Sequence, residues 1–257
     1  MKKETLYYKI MKGIAKILFP KPKFTYETLP EENSPAVYLC NHAGMQGPCY
    51  ASLYFDEPKT IWLINFILNK EKNADFIFDD FFFGRRFKHK GFMRLLAKIL
   101  AKILYPVLKA TDHICVYHDQ KVLNTFRESV SALKEGKSIV IFPECPTRFS
   151  PFVHDFYSGF ADIARIYYND TGKALKFYPT YICHDLHKIC VGNPIEYQPT
   201  VHPKKQRSII SDYARDKIHE MASSLPKHKV VPFLPPVWYE YYGEFENDHA
   251  GYWRLFE

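Results

Sequence analysis

Three observations predict an α/β fold with a largely buried sheet. Short apolar runs recur along the chain: "AVYLC" at 36–40, "HICVY" at 113–117, "SIVIF" at 138–142 and "LKFYPTYIC" at 175–183. Segments with helical apolar spacing lie between them. Two of the runs lead into loops rich in polar side chains, as strand ends do in open α/β sheets. The expected arrangement is a single three-layer domain, a central mostly parallel or mixed sheet flanked by helices. The 257 residues suffice for one large domain or two small ones. The expected divisions are an amphipathic helical segment at 1–30, the α/β domain at 31–228, and an aromatic, acidic, Pro-rich extension at 229–257.

Taken in order, residues 5–19 carry apolar side chains at helical spacing with lysines between them, and Pro20 and Pro22 end that helix. The run at 36–40 reads as a short buried strand. Pro48 suits the first turn of a helix that "CYASLYF" continues. "TIWLINFIL" at 60–68 fits strand or helix. In 92–109, Arg94, Lys98 and Lys102 recur every four residues beside a broad Leu/Ile face. That is a basic amphipathic helix, which Pro106 should end or kink. Either it faces a core, with its lysines solvated, or it lies on an anionic bilayer. A strand at 113–117, a helix over 120–135 stopped by Gly136, and a strand from Ser138 to a loop at Pro143 follow. Residues 156–168 predict a helix, and "LKFYPTYIC" and "KICVGNPI" predict strands.

Bulk composition narrows the function. Hydrophobic residues are 47% and charged residues 25%, ordinary for a globular chain. The net charge of +7 favours anionic partners, namely phosphorylated substrates, acidic carriers or anionic lipid. Nucleic acid would suit the charge, but no recognition motif accompanies it, so it is not an expected partner. Six cysteines without a C-x-x-C pair point to a reducing, cytoplasmic compartment and to no metal site. No stretch is apolar enough to span a bilayer, and no signal peptide is evident, so membrane contact would be peripheral, on the cytoplasmic face.

The chemistry concentrates in two loops. "VYLCNHAGMQGP" offers the imidazole of His42 beside Asn41. "IVIFPECPTRFS" offers Glu144, Thr147 and Arg148, a set suited to an anion because guanidinium grips phosphate with two parallel hydrogen bonds. A base beside a phosphate clamp points to transfer onto a phosphorylated alcohol.

These loops resemble the lysophosphatidate (acylglycerol-phosphate) acyltransferases and their glycerolipid acyltransferase relatives. In that family an Asn-His pair is followed, after four residues, by an Asp. Here Asn41 and His42 match, and Gly47 stands where the Asp would be. The family's second block ends near an Arg, where this chain has His118. Its Phe-Pro-Glu-Gly-Thr-Arg motif is similar to "FPECPTR", with one residue inserted and the Gly lost. "FYSGFADIA", "FYPTYI" and "VGNPI" match later blocks in the right order, so the resemblance spans about residues 36–200. It implies His42 as the base that takes the acceptor proton, with Asn41 beside it. It also implies Glu144, Thr147 and Arg148 as the acceptor clamp, and His118 as a stand-in for the Arg. The implied donor is a thioester on coenzyme A or acyl carrier protein, the acceptor a lysophospholipid or glycerol phosphate. No cofactor is implied beyond that cosubstrate.

Gly47 leaves open what orients His42. A carboxylate from Asp75, Asp79, Asp80 or Asp112, or a backbone carbonyl or water, would keep an acyltransferase; a dead site would leave a lipid-binding homologue. Cys145 as an acyl-carrying nucleophile is a remoter alternative, since the adjacent Glu144 disfavours its thiolate.

Overall fold

The structure, a computed structural model, describes residues 5–44, 46–56, 58–78, 90–117, 120–145, 152–231 and Phe233. Among them are eight strands and seven α-helices, and the strands pair both parallel and antiparallel. The α/β class is therefore as the sequence predicts. The chain forms two compact units, residues 1–18 with 61–125, and residues 19–60 with 126–257.

The second unit carries the sheet that positions the site. Its strands are β1 (Lys23–Tyr26), β2 (Val37–Cys40), β5 (Ser138–Ile141), β6 (Lys176–Cys183), β7 (Lys188–Val191) and β8 (Ile195–Glu196), in the order β1-β7-β6-β2-β5, with β8 also on β6. Pairing is antiparallel at β6–β7 and β6–β8 and parallel at β1–β7, β2–β6 and β2–β5. Val37, Leu39, Ile139, Val140 and Phe177 are fully enclosed, the burial expected of parallel strands covered on both faces. Leu39 pairs with Ile141, so β2 and β5 end side by side and release their loops from one sheet edge.

Helices α2 (Gln46–Tyr54), α6 (Asp162–Thr171) and α7 (Pro203–Ser224) belong to this unit. Residues 158–161 form one 3₁₀ turn before α6, so the helix predicted from 156 starts later. Gly172, at φ 70°, closes α6. The 22-residue α7 has no counterpart among the sequence expectations. Its buried positions Gln206, Ile210, Ala214, Ile218 and Met221 form one narrow stripe against β6, and polar residues dominate the rest. The edge strand β1 also lay outside those expectations, and the "KICVGNPI" strand divides into β7 and the start of β8.

In the first unit, β3 (Lys59–Ile64) pairs parallel with β4 (His113–Val116). A 3₁₀ turn over 65–68 follows β3, so "TIWLINFIL" is strand and then turn. Helix α1 (Leu6–Leu18) meets α4 (Lys90–Ala110) through the Tyr7 hydroxyl, which donates to the Ile103 carbonyl at 2.9 Å. Ala97 and Ala101 of α4 pack with Ile77 and Phe78 just past α3 (Asn73–Phe76). Pro106 does not stop α4, which runs on to Ala110. Proline's φ is already helical, so continuing costs the hydrogen bond its nitrogen lacks rather than the helix itself. Helix α5 (Val122–Lys134), most of it in the second unit, ends before Gly136, at φ 80°, as the sequence indicates. No helix among the described residues is long and apolar enough to cross a membrane.

Candidate active site

The Asn41–His42 turn leaves β2 in a fixed conformation. The Asn41 amide donates to the Ile182 carbonyl (3.2 Å) and accepts the Ile182 N–H (2.6 Å). It mimics a peptide group and extends the β2–β6 ladder by one step past the Cys40–Thr180 pair. Asn41 is 1% exposed, so this pairing also satisfies a polar group that burial would otherwise penalise.

Beyond His42 the backbone takes two successive left-handed residues, Ala43 at φ 45° and Gly44 at φ 59°. This turn aims the Gly44 carbonyl back at the His42 ring, where it lies 2.7 Å from Nδ1. A carbonyl can only accept, so Nδ1 carries the proton, and Nε2 of the neutral ring presents its lone pair. The orienter left open by the sequence is thus a backbone carbonyl. Asp79 and Asp80 lie outside the described residues.

Gly47 explains why no carboxylate stands at its position. Its N–H donates to the His42 carbonyl at 3.0 Å. A Cβ there would lie 2.5 Å from the His42 carbonyl oxygen and 2.7 Å from that of Asn41. The first turn of α2 thus packs directly on the backbone of the Asn-His pair, and any side chain at 47 would push them apart.

Glu144 joins the two loops. One carboxylate oxygen accepts the His42 N–H, and the other accepts the His154 N–H at 2.8 Å. Its backbone bridges antiparallel to Phe156, and the Cys145 N–H donates to the Asp155 carbonyl at 2.9 Å. Glu144 is 5% exposed, and burial pushes its pKa up to about 7 against the pull of the two N–H donors. Cys145 is buried, and its Sγ faces the Asp155 carbonyl at 3.2 Å, a packed thiol rather than one poised to attack.

Two phenyl rings lie against the imidazole, Phe142 at 5.1 Å and Phe233 at 4.7 Å between centroids. The residue keeps part of its surface exposed, but burial pushes its pKa down to about 4, and the Gly44 carbonyl acts in the opposite sense. At neutral pH the ring is a neutral base.

No family model and no curated protein matches the chain. Among solved structures it is similar to the 1-acyl-sn-glycerophosphate (LPA) acyltransferase PlsC from Thermotoga maritima, at 14% identity over 86% of this chain and 81% of that one, with a TM-score of 0.47.

The structure brings Asn41, His42 and Glu144 together, while Thr147, Arg148 and His118 lie outside the described residues. Gly44, His154 and Phe233 were not among the residues singled out from the sequence. Gly44 carries only the general turn preference of glycine, which does not say where its carbonyl points. Neither His154 nor Phe233 carries a local signal. Among the described residues no group of three His, Cys, Asp or Glu is placed to hold a metal ion.

Proposed function

We propose that the chain is an O-acyltransferase that moves a fatty acyl group from a thioester donor to the hydroxyl of a lysophospholipid or glycerol phosphate. The carrying observation is the Gly44 carbonyl on His42 Nδ1, which selects the tautomer with its lone pair on Nε2. A neutral imidazole so oriented is a general base. Nε2 takes the proton of the acceptor hydroxyl as the oxygen bonds to the acyl carbon. The C–S bond then breaks, and the departing thiolate recovers the proton from the imidazolium. A thioester is already activated, so the protein's remaining tasks are orientation and oxyanion stabilisation. The order of motifs from 36 to 200 supports the same reading. As the resemblance implies, Arg148 with Thr147 grips the acceptor phosphate. Glu144 serves by fixing the backbone of the His42 loop, since each of its oxygens already accepts a main-chain N–H.

The reaction takes place at an anionic membrane surface, on its cytoplasmic face. Exposed Phe92, Leu95 and Ile99 on α4, and Leu6, Ile10 and Ile17 on α1, are interleaved with lysines, the composition of an interfacial helix pair. Gly47 favours a second reading, a lipid-binding homologue without turnover, because a neutral carbonyl stabilises an imidazolium less than a carboxylate does.

The deciding experiment offers labelled acyl-coenzyme A and acyl carrier protein against a panel of lysolipids and glycerol phosphate. Transfer product is expected, and His42→Ala should reduce it by about 10² to 10⁴ while the protein stays folded. No product on any acceptor would leave the lipid-binding reading.

A further inference from the structure

Residues 225–231 and Phe233, the described residues beyond α7, lie against the second unit. His228 Nδ1 lies 2.7 Å from the Pro226 carbonyl and Nε2 lies 2.9 Å from the Tyr181 hydroxyl, so the ring donates to the first and accepts from the second. The Lys229 N–H donates to Asp185 at 2.8 Å, and Val230 is buried. These contacts hold the segment against β6 and the turn that follows it. Phe233 then lies with its ring 4.7 Å from the His42 imidazole and 5.9 Å from that of His154. Nothing in the acyl-transfer steps above uses Phe233, yet it touches the ring that must exchange a proton.

We propose that Phe233 is a positioning residue that covers the His42 imidazole and keeps water from it, so that the base serves an acceptor hydroxyl rather than water. The inference rests on the acyltransferase reading and adds to it the control of the side reaction. Water admitted to Nε2 would give up its proton there and bond to the acyl carbon. The C–S bond would break, and free fatty acid and thiol would leave in place of acylated lipid. A phenyl ring offers no hydrogen bond to hold such a water, and its bulk excludes one from the adjoining face.

The test uses the full chain carrying Phe233→Ala, with Phe233→Leu as a second, milder opening and Phe233→Tyr as the conservative rescue. The first measurement is the rate at which diethylpyrocarbonate modifies His42, followed by mass spectrometry on its own peptide because the chain holds 11 histidines. The second is the ratio of fatty acid released to lipid acylated, with palmitoyl-coenzyme A and lysophosphatidate. Thermal unfolding accompanies both. Phe233→Ala should speed His42 modification several-fold and raise the hydrolysis ratio several-fold. Phe233→Leu should shift both less, and Phe233→Tyr should stay near the parent. An unchanged modification rate in the folded variants overturns the cover, and transfer and hydrolysis changing in equal proportion overturns its role in partition. A parent that turns over no thioester refutes the acyltransferase reading instead, and the modification rate still decides the cover.

Discussion

Gly47 and Gly44 together decide how His42 works. A Cβ at 47 would meet the His42 and Asn41 carbonyl oxygens at 2.5 and 2.7 Å, both of them main-chain atoms with little room to move. Gly47→Ala should therefore destabilise the protein by roughly 1–3 kcal/mol through overpacking. Gly47→Asp should do the same and fail to raise the transfer rate, since Gly44 already occupies Nδ1. Thermal unfolding beside the rate checks this, and a faster, normally stable Gly47→Asp protein would show the natural site to lack its orienter. The two buried titratable groups give a second expectation. His42 is held near 4, so the folded state binds fewer protons than the unfolded state between about 4 and 6.5, and stability falls as pH drops through that window. Glu144 is held near 7, so the folded state keeps a proton that the unfolded state has lost, and stability falls as pH rises from 4.5 to about 7. The slopes oppose each other in the parent. Denaturant unfolding of Glu144→Gln should expose the His42 slope, with stability rising with pH, and His42→Ala should expose the opposite one. The transfer rate itself should keep its acid limb near pH 4, because only the neutral ring is a base.

At the scale of elements, α4 carries two faces with different duties. Ala97 and Ala101 are buried against Ile77 and Phe78, and their small side chains allow close packing. Phe92, Leu95 and Ile99 are instead 61%, 55% and 47% exposed, beside the exposed Arg94, Lys98 and Lys102. An exposed apolar stripe flanked by cations has the composition of an interfacial helix face, and the proposed membrane contact would use it. Replacing Lys98 and Lys102 by Glu should weaken co-sedimentation with anionic vesicles at least about tenfold, since each lysine near such a surface contributes about 1 kcal/mol. Unchanged sedimentation would return the helix to a purely structural role.

For the whole molecule, the net charge of +7 should make the proposed vesicle attachment sensitive to salt. The screening length falls from about 10 Å at 0.1 M to about 3 Å at 1 M. Binding to anionic vesicles should drop across that range and leave a residue due to the exposed Leu and Ile side chains. Attachment indifferent to salt would remove the electrostatic part of the reading. Much of this chain was legible in one dimension. The strands at 37–40, 138–141 and 176–183 and the helices at 6–18 and 122–134 follow from apolar period and from Gly and Pro punctuation, which are local properties of the backbone. The strand-end loops bearing His42 and Glu144 were readable for the same reason. Helix α7 escaped because its buried stripe is narrow and its remaining surface polar, so only packing on β6 discloses it. The sequence alone determined the fold class, the placement of the Asn-His pair at a strand end and the absence of an Asp at 47. Tertiary structure alone decided that the Gly44 carbonyl orients the imidazole, that Ile182 holds Asn41, and that Phe233 lies on His42. Those contacts depend on left-handed turns and on residues more than a hundred positions apart, and distance in space is not encoded by spacing along the chain.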